Sequence, residues 1–249
     1  MTRAVKRAER VLDDSARGWG ISPRVALVLF LLPIVGGLGV AGTRVSRSLF
    51  HHITDEDAIL EWAQVVLYVA AGAFAFFNAV RLWRSGSRLP AIAWFAFTLG
   101  CVFVTGEEIS WGQRIFGWST PESLRAINRQ GETTLHNIRT VLNGVNAVLL
   151  VGGFYGAVGW IAAERLQAKG RSFDRAWLFL PPFFLSSAFG VVFAYKLSRL
   201  TVFQSSRYTI VRLGEWAELC FGFGLAVFAA LVYKRLRRED RGAQPGRTP

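Results

Sequence analysis

The chain alternates long apolar runs with short polar connections. Six windows, 25–43, 60–80, 90–109, 140–163, 177–195 and 211–232, carry almost no charge. A helix rises about 1.5 Å per residue, so a window of roughly 20 residues covers the ~30 Å hydrocarbon core of a bilayer. Large soluble folds rarely hold so many such windows. The pattern therefore predicts an all-α fold, a polytopic integral membrane protein with six transmembrane helices, in preference to a soluble helical bundle. Residues 1–22 carry Arg3, Lys6, Arg7, Arg10, Asp13, Asp14 and Arg17, which reads as an amphipathic cytoplasmic helix ending near Gly18 and Gly20. Residues 23–235 form the six-helix membrane domain, with an outer loop over 112–138. Residues 236–249 read as a disordered basic tail. Within the loop, Thr120-Pro121-Glu122 reads as the N-cap, first residue and first-turn acid of a short surface helix. Pro181-Pro182 predict a break at the inner end of the fifth helix.

Composition changes this picture only through its placement. The net charge of +12 invites a nucleic-acid partner. With the N-terminus inside, however, the inner segments hold 19 Lys/Arg and 7 Asp/Glu, while the outer segments hold 10 of each. The whole excess lies on one side, which is the positive-inside pattern and puts both termini in the cytoplasm. Basic tails beside helix ends attract anionic lipid headgroups, so no nucleic acid is expected. Cys101 and Cys220 fall inside predicted spans and read as apolar packing residues, not a disulfide. The first apolar run shows no small-residue cleavage site and reads as a retained anchor.

Polar residues share helical faces at the outer ends of four predicted helices. Asp57, Glu61, Gln64 and Tyr68 align on the second, and Glu107, Ser110 and Arg114 on the third, with Glu108 one step round. Glu132, His136, Arg139, Asn143 and Asn146 line the fourth, and Tyr208, Arg212, Glu215 and Glu218 the sixth. Charges facing lipid are costly, so these faces should turn toward one another as an outward-opening polar pocket. Glu61, Glu107, Glu108, Glu132, His136 and Glu215 are donors of the kind that hold a divalent metal such as Zn, Mn or Fe. A metal there could activate water against an ester, amide or phosphate, with Ser110 or a spare Glu handling the proton. In that reading Glu107, Glu108, Ser110 and His136 are the catalytic set. Arg114, Arg139, Trp111, Gln113 and Asn137 bind the substrate, the arginines through an anionic headgroup.

The expected activity is a metal-assisted hydrolase or transferase acting on a lipid or lipid-linked substrate at the outer leaflet. The rival is a non-catalytic membrane binding or transport component using the same pocket. A third reading makes the polar residues simple helix joints, such as Glu107 with Arg114 and Glu215 with Arg212. His51-His52, in a loop beside Asp55-Glu56-Asp57, either join a metal site or stay solvated. Glu61-Trp62-Ala63-Gln64 and Glu215-Trp216-Ala217-Glu218 open the second and sixth helices alike. This could be the trace of a duplication or the taste of Trp for the membrane interface. Oligomeric state stays open.

The segment Glu107-Glu108-Ile109-Ser110-Trp111-Gly112-Gln113-Arg114, with Gln130-Gly131-Glu132 and His136-Asn137 downstream, resembles the signature of an uncharacterised family of bacterial polytopic membrane proteins. That resemblance covers mainly residues 105–138. It implies a multi-pass protein of the bacterial inner membrane and no particular substrate. A looser similarity is to membrane-embedded metal hydrolases of the alkaline ceramidase type, which also combine Ser, carboxylate and His at helix ends. The chain lacks their paired, widely spaced His ligands.

Overall fold

The computed structural model describes residues 3–55, 58–125, 133–135, 139–168, 175–202 and 208–242. Among these the regular structure is entirely helical: α1 Arg3–Trp19, α2 Pro23–Gly42, α3 Arg47–Thr54, α4 Ile59–Arg84, α5 Arg88–Glu108, α6 Gln113–Phe116, α7 Glu122–Arg125, α8 Arg139–Ala168, α9 Ser186–Thr201 and α10 Tyr208–Gly242. Six segments are long and apolar enough to cross a membrane: Pro23–Val45, Arg47–Arg84, Arg88–Glu108, Val141–Arg165, Ala176–Thr201 and Tyr208–Arg241. They match the six windows of the sequence. Leu38 on α2, Val66 on α4, Leu99 on α5 and Val148 on α8 are all exposed. An exterior this apolar is what a bilayer-facing surface requires.

Small residues set the helix crossings. A Cβ on Gly156 would come within 2.2 Å of the Phe189 ring, so α8 and α9 approach closely only because that side chain is absent. Gly36 and Gly37 similarly admit the Trp216 indole, whose Nε1 donates to the Pro33 carbonyl at 2.9 Å. The proline interrupts the hydrogen-bond ladder of α2, and α10 docks at that point. Asn78 Nδ2 donates to the Ala229 carbonyl at 3.0 Å and joins α4 to α10 in the core.

One end of the bundle, its base, gathers α1 and the last turns of α10. The Arg235 guanidinium lies 5.7 Å from the Trp19 ring centroid and 4.3 Å from that of Trp177. Asp240 pairs with Arg81 at the end of α4. The amphipathic N-terminal helix forms as predicted, but it docks rather than only lying on the surface. Leu12 and Ala16 are buried in the main core, and Ser15 Oγ accepts from Phe183 N at 3.2 Å. α10 runs on through Gly242, beyond the expected boundary at 235, because Leu236 is buried in the same core and the helix is held by Asp240. Residues 243–249 lie outside the described residues. The fifth membrane-length segment breaks at Pro181-Pro182 as predicted, between the turns Ala176–Leu178 and Phe183–Leu185.

Candidate functional site

At the opposite end, the rim, α5 stops earlier than the helical spacing of Glu107, Ser110 and Arg114 implies. Its last residue is Glu108, and Ser110 and Trp111 then take φ of +50° and +53°, followed by Gly112 at +90°. Left-handed backbone costs a non-glycine residue about 1–2 kcal/mol, so something must hold it. That something is Glu107, which is only 4 % exposed. Its Oε1 accepts from the Trp111 indole Nε1 at 2.6 Å, and its Oε2 accepts from the Leu135 backbone N at 2.7 Å. The reversed turn brings the indole back over Gly106, where a Cβ would meet the ring at 3.0 Å. Gln113 completes the lock: Nε2 donates to Thr120 Oγ1 and Oε1 accepts from Thr133 N, both at 2.8 Å. Gly106, Glu107, Trp111 and Gln113 thus tie both ends of the outer loop to the top of α5.

Deeper in the rim half lies a layer of polar side chains from several helices. Lys196 of α9, only 9 % exposed, places Nζ 2.7 Å from Glu218 Oε1 on α10 and 2.8 Å from Asn146 Oδ1 on α8. Gln64 of α4, 1 % exposed, donates through Nε2 to Glu215 Oε2 at 3.2 Å and to the Glu215 carbonyl at 3.3 Å. Glu61 and Glu218 lie close enough to Glu215 for their charges to act on it, as does Arg212. Tyr68, also buried, stands within electrostatic reach of both Glu218 and Glu108. The two Glu-Trp-Ala tetrapeptides therefore meet across the α4–α10 contact. Glu61 and Gln64 face Glu215, whereas Trp216 turns to α2 and Trp62 stays half exposed.

A third group sits at the rim surface. His51 and His52 are on the helix α3, not in a loop, because Ser46 caps it by accepting from Leu49 N. Arg47 Nε donates to His51 Nε2 at 3.3 Å, so Nδ1 carries the ring proton and faces Asp55 Oδ2 at 2.9 Å. The Tyr208 hydroxyl lies 2.8 Å from the same Nδ1 and also bonds Asp55 Oδ1. Arg212 Nε approaches Asp55 Oδ1 at 3.8 Å. The pair His51-His52 therefore differs: His51 is fastened to α10 through Asp55 and Tyr208.

Of the residues expected to form the site, Glu215 is in the polar layer, Glu61 stands within electrostatic reach of it and Glu108 within electrostatic reach of Tyr68. Glu107, Trp111 and Gln113 instead build the loop lock, and Ser110 is buried inside its turn. Arg114 lies on α6 and Arg139 opens α8, both at the rim, with side chains outside the described residues. Glu132, His136 and Asn137, together with Glu56 and Asp57, also lie outside the described residues. Among the described residues no group of three or more His, Cys, Asp or Glu is arranged to hold a metal. The residue that sequence reasoning left out of the pocket is Lys196. A lone lysine in an apolar helix was the available signal, since a cation at that depth needs partners. No family profile matches the chain, and comparison with characterised proteins and with solved structures finds no match either.

Proposed function

We propose that the chain is a multi-pass protein of the bacterial inner membrane, with both termini cytoplasmic, that binds a lipid or lipid-linked substrate from the outer leaflet through the polar layer beneath the rim. The observation that carries this reading is the ion pair of Lys196 and Glu218, set with Asn146 among apolar helices. Burying two charges costs more than their attraction usually returns, and a headgroup bearing both charge and hydroxyls has partners ready there. Lys196 would take an anionic oxygen, and Glu218 and Asn146 would accept from hydroxyls or ammonium. Arg114 on α6 and Arg139 at the start of α8 would be the residues to meet a phosphate at the rim.

A second reading adds chemistry to the same pocket. It draws on the charges of Glu61 and Glu218 that act on Glu215, which a divalent metal (Zn, Mn or Fe) would offset; since the described acids alone form no metal-holding group, it requires His136 or Glu132 as a further donor. Glu108 and His136 would then assist a metal-activated water in hydrolysis or transfer at the outer face.

Lipid analysis and metal analysis of the purified protein test both readings. The wild type should retain one lipid class through detergent exchange, and Lys196→Met should lose it while keeping the helical content. Equal retention of every lipid class by the two proteins overturns the binding reading. Absence of Zn, Mn and Fe from protein purified without chelator overturns the catalytic one.

A further inference from the structure

Toward the base, between α5 and α8, the bundle opens an apolar cleft that is separate from the rim layer and does not depend on its reading. Trp94 and Phe97 of α5, Gly152 of α8, Phe189 of α9, and Phe221 and Leu225 of α10 line it. Its volume is about 240 Å³. That is smaller than the ~300–1,000 Å³ of ordinary small-molecule sites, and suits a single alkyl chain. Gly152 keeps the α8 wall low, since a Cβ there would meet Phe221 at 3.0 Å.

Two observations bear on what the cleft would bind. The first is Trp94, which is 3 % exposed and whose indole Nε1 is buried with no hydrogen-bond partner. A buried donor left unpaired is costly, and the hydrocarbon of a bilayer offers no acceptor. The second is the cation at the basal end. Arg175 is exposed just before the turn that supplies Leu178 and Phe179 to the cleft, and its Nη1 bonds Ser87 Oγ at the start of α5. Arg88 stands one residue further on, also exposed, 4.0 Å over the Trp83 ring. Trp94 lies six residues into the helix from Arg88, which is about 9 Å along the axis.

We propose that this cleft is a binding site for an ester-linked anionic phospholipid of the leaflet at the basal end. One acyl chain enters between Phe97, Phe189 and Phe221. An ester carbonyl, which lies just beneath the phosphate in such a lipid, accepts from Trp94 Nε1 once the lipid has turned the indole, whose nitrogen is otherwise packed away from open surface, toward the cleft. The phosphate meets Arg175 and Arg88 at the surface. Arginine suits this position because its planar donors match phosphate oxygens.

The test uses the full chain, delipidated in a non-ionic detergent, with lipid binding followed by native mass spectrometry. Diester phosphatidylglycerol should bind about fivefold more tightly than its diether analogue, the difference expected of one hydrogen bond. It should bind about fivefold or more above diester phosphatidylcholine, from the charge at the surface. Trp94→Phe keeps the ring and should erase the ester–ether difference alone. Arg175→Gln should narrow the gap between the two headgroups alone. Ala93→Trp, at the exposed mouth of the cleft, should weaken every lipid. An undiminished ester preference in Trp94→Phe, or equal binding of phosphatidylglycerol and phosphatidylcholine by the wild type, overturns the proposal. Ala93→Trp binding as the wild type does would also overturn it.

Discussion

Glutamine at position 107 is the most informative single change, because it preserves size and removes only what the lock uses. Glu107 accepts two short hydrogen bonds, at 2.6 and 2.7 Å, one on each oxygen. A glutamine offers one oxygen and one NH₂ group, so whichever way it turns, a donor faces either Trp111 Nε1 or Leu135 N. Hydrogen bonds to a charged group contribute about 1.5–3 kcal/mol each. Losing one, leaving its donor unsatisfied and weakening the other should cost about 3 kcal/mol. The cost falls on the closure of the outer loop rather than on the helical bundle, which has its own core. At 1.4 kcal/mol per factor of ten, the open loop becomes about a hundredfold more populated. Trypsin reads this directly, because cleavage follows the open population when reclosing is fast. The exposed Arg125 on α7 gives a cut site inside the loop. Glu107→Gln in detergent micelles should be cut there about a hundredfold faster while its helical circular dichroism stays unchanged. Cleavage at the wild-type rate would refute the lock and return the carboxylate to the catalytic set.

Three further outcomes follow from the same contacts. Lys196→Met should destabilise the chain by about 2–4 kcal/mol, because it leaves Glu218 charged and unpaired in a mostly apolar setting. Adding Glu218→Gln should recover part of that loss in detergent unfolding, and strictly additive effects would show the pair to be uncoupled. Gly156→Leu should force α8 off Phe189, lowering stability by about 1–3 kcal/mol or preventing folding, whereas Gly144→Ala, with open space around it, should be near neutral in the same assay. Trp111→Phe keeps the ring over Gly106 but removes the N–H to Glu107, and should loosen the loop to trypsin by about tenfold, less than Glu107→Gln does.

What could be read in the sequence was whatever depends on runs of composition. The six membrane-length helices, the amphipathic start and the break at Pro181-Pro182 each rest on ten or more residues, or on a proline whose constraint is local. The end of α5 was not legible, because Ser110 and Trp111 adopt left-handed backbone that neither residue favours. Only the later contact of Trp111 with Glu107, and of Glu107 with Leu135, makes it stable. The helical state of α3 was hidden by its eight-residue length and mixed composition, although Ser46 ahead of Arg47 was a capping signal. The length of α10 depended on Leu236 joining the main core and on Arg235 reaching Trp19 at the end of α1, contacts between the two ends of the chain. Lys196 was visible as a residue, but its partners come from helices fifty and twenty-two positions away.

The carboxylates that looked interchangeable as a string of letters are therefore sorted by what approaches them. Glu107 faces N–H donors held in place by the backbone and by a ring, so its charge is spent on fixing the loop to the top of α5. Glu218 faces a lysine on a flexible stem, and that contact can be exchanged for a ligand's charge at small geometric cost. Glu215 accepts from a buried amide on one side and feels the charges of two other acids, so its carboxylate is held by neutral and like-charged neighbours rather than by a paired cation. The conspicuous Glu107–Gln113 stretch thus fastens the loop, and the ligand contacts we propose fall to the less conspicuous layer of Gln64, Lys196, Glu215 and Glu218.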